Sequence, residues 1–307
     1  MPERPLPGEA KVKTYFETCS NWGRWGPDDS AGTVNLITAE KRVEAARLVR
    51  NGRTVSLAHP LNTIGGPGNA NPAQHFLRTG ADFSVDYIGI LFHGYATTHV
   101  DALCHIFWDG KMYNGKPASD VTSIGARSGA VDAWKDGIVT RGVLIDIPRF
   151  RGTEYVTLDR PVRGWEIEDA AEAQGTPLRP GDAVIVYSGR RAFYRAHPEN
   201  TPGVQPSPGL HADTAPVLKK HDAAILGWDM MDARPSGYEV FDMPPRAGGP
   251  VHVLGIVFAG LPLLDNANLD PIAEACREEN RWEFLLSIAP LNVRGGTGSP
   301  VNPIATF

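Results

Sequence analysis

The chain has 307 residues, 42% of them hydrophobic, which suffices for a sizeable core in one large domain or two fused lobes. Thirty Lys+Arg against 35 Asp+Glu leave a net charge of −5, which argues against a nucleic-acid binder, and no apolar run approaches the roughly 20 residues of a membrane span. Three widely spaced cysteines (Cys19, Cys104, Cys276) do not make a disulfide framework, and the opening MPERPLPGEAKVKTYF lacks a signal-like apolar stretch, so a cytoplasmic location is expected.

Residues 1–30 read as irregular, with Trp22 and Trp25 close together in NWGRWGPDD. Tryptophan is rarely spent on a solvated arm, so residues 1–36 are expected to pack on the body or on a partner subunit. TAEKRVEAARLV (38–49) reads as a helix capped by Thr38, with Val43, Ala46, Leu48 and Val49 on its inner face and Asn51-Gly52 ending it. TVSLAHPL alternates like a strand. Residues 62–82 are rich in Gly, Pro and Asn and read as a long loop, of a length that is usually functional or mobile. YIGILFH (87–93), GVLIDI (142–147) and DAVIVYSG (182–189) are apolar runs suited to buried strands. EIEDAAEAQ (166–174) reads as a helix, and AILGWDMMD (224–232) as a strand running into a loop. VHVLGIVFAG (251–260) fits helix or strand, with Gly260 as its stop. Leu269–Glu279 reads as a helix, RWEFLLSIAPL as a last strand, and RGGTGSPVNPIA as an extended finish. With no internal repeat and no clear linker, residues 1–307 are expected to form a single α/β domain with substantial β content.

Three of nine histidines fall in LFHGYATTHVDALCHIF, whose core is His99-x-Asp101-x-x-x-His105. In an extended segment i and i+2 point to one side, so His99 and Asp101 reach a common point. Imidazole nitrogen with carboxylate oxygen suits zinc or manganese. His105 lies further on, as a ligand or as a base that titrates near neutrality. The spacing alone fits ordinary polar residues at a strand end equally well.

The wider chain resembles a known family. The blocks NWGRWGPDDSAGTVNLI, TVSLAHPL, HVDALCHIFWDGKMYNG, GVLIDI, GDAVIVYSG and GGTGSPVNP, in this order, resemble the cyclase family, whose best-known members are bacterial kynurenine formamidases and isatin hydrolases. The family motif is His-x-Gly-Thr-His-x-Asp-x-Pro-x-His. Thr98, His99, Asp101 and His105 match it, whereas Tyr95 replaces the first histidine, Thr97 the glycine and Leu103 the proline. The resemblance implies that His252 and a carboxylate, here Asp265, complete the metal set with His99 and Asp101. It implies a β-rich α/β domain around a central barrel-like sheet with flanking helices, and a homodimer or homotetramer.

The activity so implied is metal-dependent hydrolysis of a C–N bond in a small amide, formamide or cyclic amide or imide, by a metal-activated water. In this reading His105 is the general base and Tyr95 an oxyanion donor. A single Zn or Mn ion is expected, because a neutral phenol at position 95 is a poor ligand at pH 7. His75 and His93, with Trp108 and Tyr113, are further candidates to line the substrate pocket; His93, six residues before His99, is alternatively a replacement for the lost first ligand or a core residue. Asp229 and Asp232 lie at a strand end where pocket residues gather. Cys104 is discounted as a nucleophile, because sequence neighbours on a strand face opposite sides. The alternatives are a lactone hydrolase, a dehydratase or a ring-closing enzyme on the same fold, and a non-catalytic relative with a degenerate metal site.

Overall fold

A computed structural model of the chain describes residues 4–204, 206–243 and 248–307. Its strands are β1 (Thr54–Ser56), β2 (Gln74–Thr79), β3 (Ser84–Gly89), β4 (His99–Asp101), β5 (Val121–Thr122), β6 (Gly125–Ala126), β7 (Ile138–Asp146), β8 (Ala183–Tyr187), β9 (Ile225–Trp228), β10 (Leu263–Asp265), β11 (Glu283–Ile288), β12 (Gly298–Pro300) and β13 (Ile304–Thr306). Nine of them form one sheet in the order β1-β13-β11-β7-β8-β9-β10-β4-β12. It curls into a half-barrel with helices against it, as the α/β expectation of a barrel-like sheet requires. Strands β7 to β10 run parallel, and antiparallel strands flank them on both sides.

The parallel strands read as unbroken apolar runs because both faces are covered. Val143, Ile145, Val184, Val186 and Leu226 pack into one core. The alternating residues Leu144, Ile185, Ile225 and Leu264 pack into the other. One charged group crosses this interior. Lys41 and Arg141 both reach buried Asp182, at 2.6 and 2.8 Å, and Arg141 also reaches Glu283 at 2.8 Å. Removing the carboxylate in Asp182→Ala would strand buried Lys41 and leave buried Arg141 with Glu283 alone. We expect a loss of about 3–5 kcal/mol, read as a lowered urea midpoint with unchanged slope.

Four local expectations change. The helix runs Ala39–Ala46 with Thr38 as its cap, but Lys41 and Ala45 are its buried residues while Val43 and Val49 are exposed. The buried ion pair to Asp182 sets that rotation, which apolar spacing could not reveal. Residues 62–82 are not all loop, and YIGILFH is not a buried strand. Gln74–Thr79 and Ser84–Gly89 pair with each other as an exposed hairpin, and strand structure ends at Gly89. Segment 1–30 is not wholly irregular, because Glu9–Lys13 and Tyr15–Thr18 are short helices. The ambiguous 251–260 stretch is helical, wound as a π-helix over Val253–Ala259 and stopped by Gly260 at φ +63°. No helix among the described residues is long and apolar enough to cross a membrane.

The N-terminal segment lies on this chain's own π-helix. Trp22 stacks on Phe258 with centroids 5.5 Å apart, and its Nε1 donates to the Val257 carbonyl at 2.7 Å. Asn21 Nδ2 donates to the Ala259 carbonyl at 2.8 Å. Wide π winding leaves such carbonyls in need of donors, and this segment supplies them. The approach is close: a Cβ on Gly32 would lie 2.0 Å from the Gly260 carbonyl oxygen. Trp22 and Asn21 thereby brace the helix that carries His252.

Candidate metal centre

Short strand β4 lies between β10 and β12, so its three residues are fixed from both sides. The register places Asp265 directly across from His99. Directly opposed side chains in an antiparallel pair lie close together. His99 Nε2 lies 3.2 Å from Asp101 Oδ1, as the i, i+2 spacing predicts. His252 enters from the start of the helix, with Nε2 at 3.1 Å from Asp265 Oδ2 and 3.8 Å from Asp101 Oδ2. His93 Nδ1 approaches Asp101 Oδ1 to 2.9 Å, and His105 Nε2 approaches Oδ2 to 3.9 Å. The His93 and His105 rings stack in parallel, 3.8 Å apart. Asp101 is thus the centre of the cluster.

Three of these imidazoles are held from outside. His99 Nδ1 donates to the Thr97 carbonyl at 2.8 Å, which leaves Nε2 as the inner nitrogen. His93 Nε2 bonds Thr297 Oγ1 at 3.0 Å, so its Nδ1 faces Asp101. His252 Nδ1 bonds Asp232 Oδ2. Metal-binding histidines are commonly oriented this way, with the outer nitrogen anchored and the inner one directed at the ion. Inside the ring, both oxygens of Asp101 and Nδ1 of His93 are buried and lack a hydrogen-bond partner. A buried carboxylate without donors is costly unless a cation faces it. The donor atoms of His93, Asp101 and His105 lie within 4.8 Å of one another, as do those of His99, Asp101 and Asp265. The residues present therefore fit a divalent ion bound by nitrogen and oxygen.

The electrostatics agree. Burial opposes ionisation of Asp101, yet the imidazoles of His105 and His99 hold it well below the usual carboxylate range. Burial likewise opposes charge on His252, but Asp265 and Asp232 raise it well above the ordinary histidine value. Burial brings His105 down to about 4, so its imidazole is neutral at pH 7 and able to accept a proton. Cys104 is buried and its thiol is pushed up to about 12, consistent with no nucleophilic role.

Residues 55–234 match the model of the family described as Putative cyclase. The chain belongs to this family. It is similar to a structure described as a novel cyclase, with 29% identity and a TM-score of 0.80 over 94% of this chain and 99% of that one. It shares a fold with an isatin hydrolase bound to the product analogue thioisatinate, at 16% identity and TM-score 0.56 over 87% of this chain and 98% of that one. Isatin hydrolase A from Labrenzia aggregata, bound to benzyl benzoate, shares the fold at 18% identity and TM-score 0.54, over 82% and 93% of the two chains. No curated protein matches the chain.

In this cyclase-family chain the first motif histidine is absent at position 95, and His93 brings an imidazole to the cluster from two residues earlier. A single ion was expected because position 95 lacks that imidazole. With His93 in place, the donors form two overlapping sets that share Asp101. Tyr95 stands apart from the donors. It is 37% exposed and borders a cavity with Arg190, Tyr194, Met231, Asp232 and His252. Its backbone carbonyl accepts from Arg190 Nη2 at 2.6 Å.

The remaining pocket candidates lie elsewhere. His75 is on the exposed hairpin, paired to Asp86 at 2.5 Å. Trp108 stacks on Phe16 with centroids 4.9 Å apart, beneath the N-terminal segment. Tyr113 is buried, and its hydroxyl donates to Asp29 Oδ2 at 3.0 Å. Composition singles out aromatic and histidine residues without showing which surface they face.

Three supporting residues emerge only in three dimensions. Asn266 Nδ2 donates to the Gly94 and Thr97 carbonyls, and Thr98 Oγ1 donates back to the Asn266 carbonyl at 2.7 Å. Arg190 Nη1 donates to Asn266 Oδ1 at 2.7 Å, tying the end of β10 to the loop that positions His99. Asp232, singled out only as a strand-end carboxylate, anchors His252 and also accepts from the Val251 amide. Asp232→Asn should weaken metal affinity about 10–100-fold without unfolding the chain, measured by competition with a chromogenic chelator. Unchanged affinity would remove Asp232 from the support of this centre.

Proposed function

We propose that the protein is a metal-dependent hydrolase that opens a C–N bond of a small amide, formamide or cyclic amide or imide. The observation that carries this reading is the buried, donor-less Asp101 carboxylate ringed by inward-facing imidazole nitrogens. His99, Asp101 and Asp265, with His252 beside them, would hold one Zn or Mn ion. Such an ion supplies a Lewis acid and lowers the pKa of a coordinated water toward about 7.

The chain's own groups supply the rest. Neutral His105 accepts the proton of the attacking water through Nε2 and returns it to the leaving nitrogen. Its stacking on His93 holds the ring plane in place. Tyr95, on the rim beside His252, donates its hydroxyl to the developing oxyanion. Tyr95→Phe should then lower kcat about 10²–10³-fold while bound metal stays constant. Metal loss in that variant would instead make Tyr95 a ligand.

The test of the whole reading is elemental analysis of the native protein, followed by a screen of formamides, cyclic imides and matched lactones. Stoichiometric metal with turnover of an amide supports it. Turnover confined to lactones, or a chain that takes up no metal, overturns it.

A further inference from the structure

We propose, on the reading of the cluster as a metal site, that Trp228 is a positioning residue whose indole N–H holds one oxygen of Asp265 and turns the other inward. Trp228 Nε1 donates to Asp265 Oδ1 at 2.5 Å, while Asp265 Oδ2 faces His252 Nε2 at 3.1 Å. The two oxygens of one carboxylate are thus divided between a fixed outer donor and the ring of ligand atoms inside. Trp228 is fully buried, and its ring lies 5.3 Å from that of His252, tilted by 35°. One side chain therefore touches two members of the cluster.

The sheet puts it there. Strands β9 and β10 run parallel, with Leu226 beside Leu263 and Gly227 beside Leu264, so Trp228 comes next to Asp265. Asp265 in turn lies across from His99 on β4. Trp228, Asp265 and His99 thus make a row across three neighbouring strands. The Ala267 amide donates to the Trp228 carbonyl at 3.0 Å, which closes the turn after β10 against the end of β9. The row is dry, with exposures of 0%, 2% and 1% in that order. A carboxylate lone pair left without a donor in such surroundings is costly, so the indole contributes more there than it would in water.

Packing alone does not account for the bond. A buried indole usually finds some partner for its N–H, and any carbonyl serves. Trp22 and Trp134 donate to the Val257 and Ala31 carbonyls. Trp165 and Trp282 are buried with Nε1 unpaired, so a core position in this chain does not by itself deliver a partner. Trp228 meets a carboxylate of the cluster. An indole nitrogen donates and does not accept, so it cannot compete for the ion. It satisfies one oxygen and leaves the other to face inward, as the Thr97 carbonyl does for the nitrogens of His99 and Asp232 does for those of His252. Three members of the donor set, His99, His252 and Asp265, are then each held by one outer hydrogen bond.

Zinc titration of the full chain, with the indole nitrogens isotope-labelled for nuclear magnetic resonance, tests this without measuring activity. The Trp228 N–H proton should resonate far downfield, as a short bond to a carboxylate demands. Saturating zinc draws charge from Asp265, so this signal should move upfield while that of Trp25, on the N-terminal segment, stays in place. Trp228→Phe keeps a ring in the site and removes the donor, and its zinc affinity should fall about 10–100-fold in competition with a chromogenic chelator. The signal is assigned by its loss in that variant or, should the variant misfold, by nuclear Overhauser contacts with the His252 ring. A native chain that takes up no zinc overturns the metal reading and this role of Trp228 together. Zinc uptake that leaves the Trp228 signal unmoved, or a folded Trp228→Phe with native zinc affinity, overturns the role of Trp228 while the metal reading stands.

Discussion

Asp101→Ala is expected to remove most of the bound metal and, with it, nearly all turnover. Asp101 is the one residue common to both donor sets, and its oxygens are buried without another partner. Metal catalysis supplies several kcal/mol of barrier reduction, so activity should fall by about 10³-fold or more. A readout independent of turnover is available. Metal that binds the folded chain stabilises it by mass action, so added Zn or Mn should raise the Tm of the native protein. The variant should show no such rise. Asp101→Asn should behave alike, because it keeps the shape and discards the charge. Full metal occupancy in either variant would show that the centre lies elsewhere.

The second large effect falls on His105. Its loss in His105→Ala should lower kcat about 10²–10⁴-fold with the metal content unchanged. Two features favour the base over a ligand role. Its Nε2 stands 3.9 Å from Asp101 and has no second carboxylate close by among the described residues, whereas His252, at 3.8 Å from Asp101, also lies 3.1 Å from Asp265. It is also partly open, with a quarter of its side chain exposed, whereas His99 is sealed. Elemental analysis of the native chain bears on the same assignment. One ion per chain leaves His105 free to move protons. Two ions, or metal loss in His105→Ala, would place it in a ligand sphere, and another group would have to serve as base.

Much of the local structure was legible in the chain. GVLIDI, DAVIVYSG and AILGWDMMD correspond to β7, β8 and β9. They were legible because parallel strands buried on both faces need unbroken apolar residues. Glu166–Gln174 and Leu269–Glu279 correspond to helices, with Thr38 the cap of a third. His99 and Asp101 converge because the two-residue period of a strand is a local property. The exposed hairpin was not legible. Its Tyr87-Ile88 stretch is as apolar as a core strand, and only the sheet topology leaves it outside.

The sequence by itself determined the cyclase-family resemblance, the α/β class and the seed His99-x-Asp101-x-x-x-His105, all of which rest on neighbours within a dozen residues or on the order of blocks. The resemblance also named His252 and Asp265, but tertiary structure alone decided how they and their supports meet the seed. Asp265 arrives by strand register opposite His99, and Asp232 reaches His252 across 20 residues. His93 supplies the imidazole that Tyr95 does not, because the turn at 93–96 folds its ring back onto Asp101. It also left Trp108 and Tyr113 beneath the N-terminal segment and His75 on the hairpin. Spacing along a chain fixes which side chains share a strand face. Which faces meet is set by pairing and packing between distant segments, and no local pattern records that.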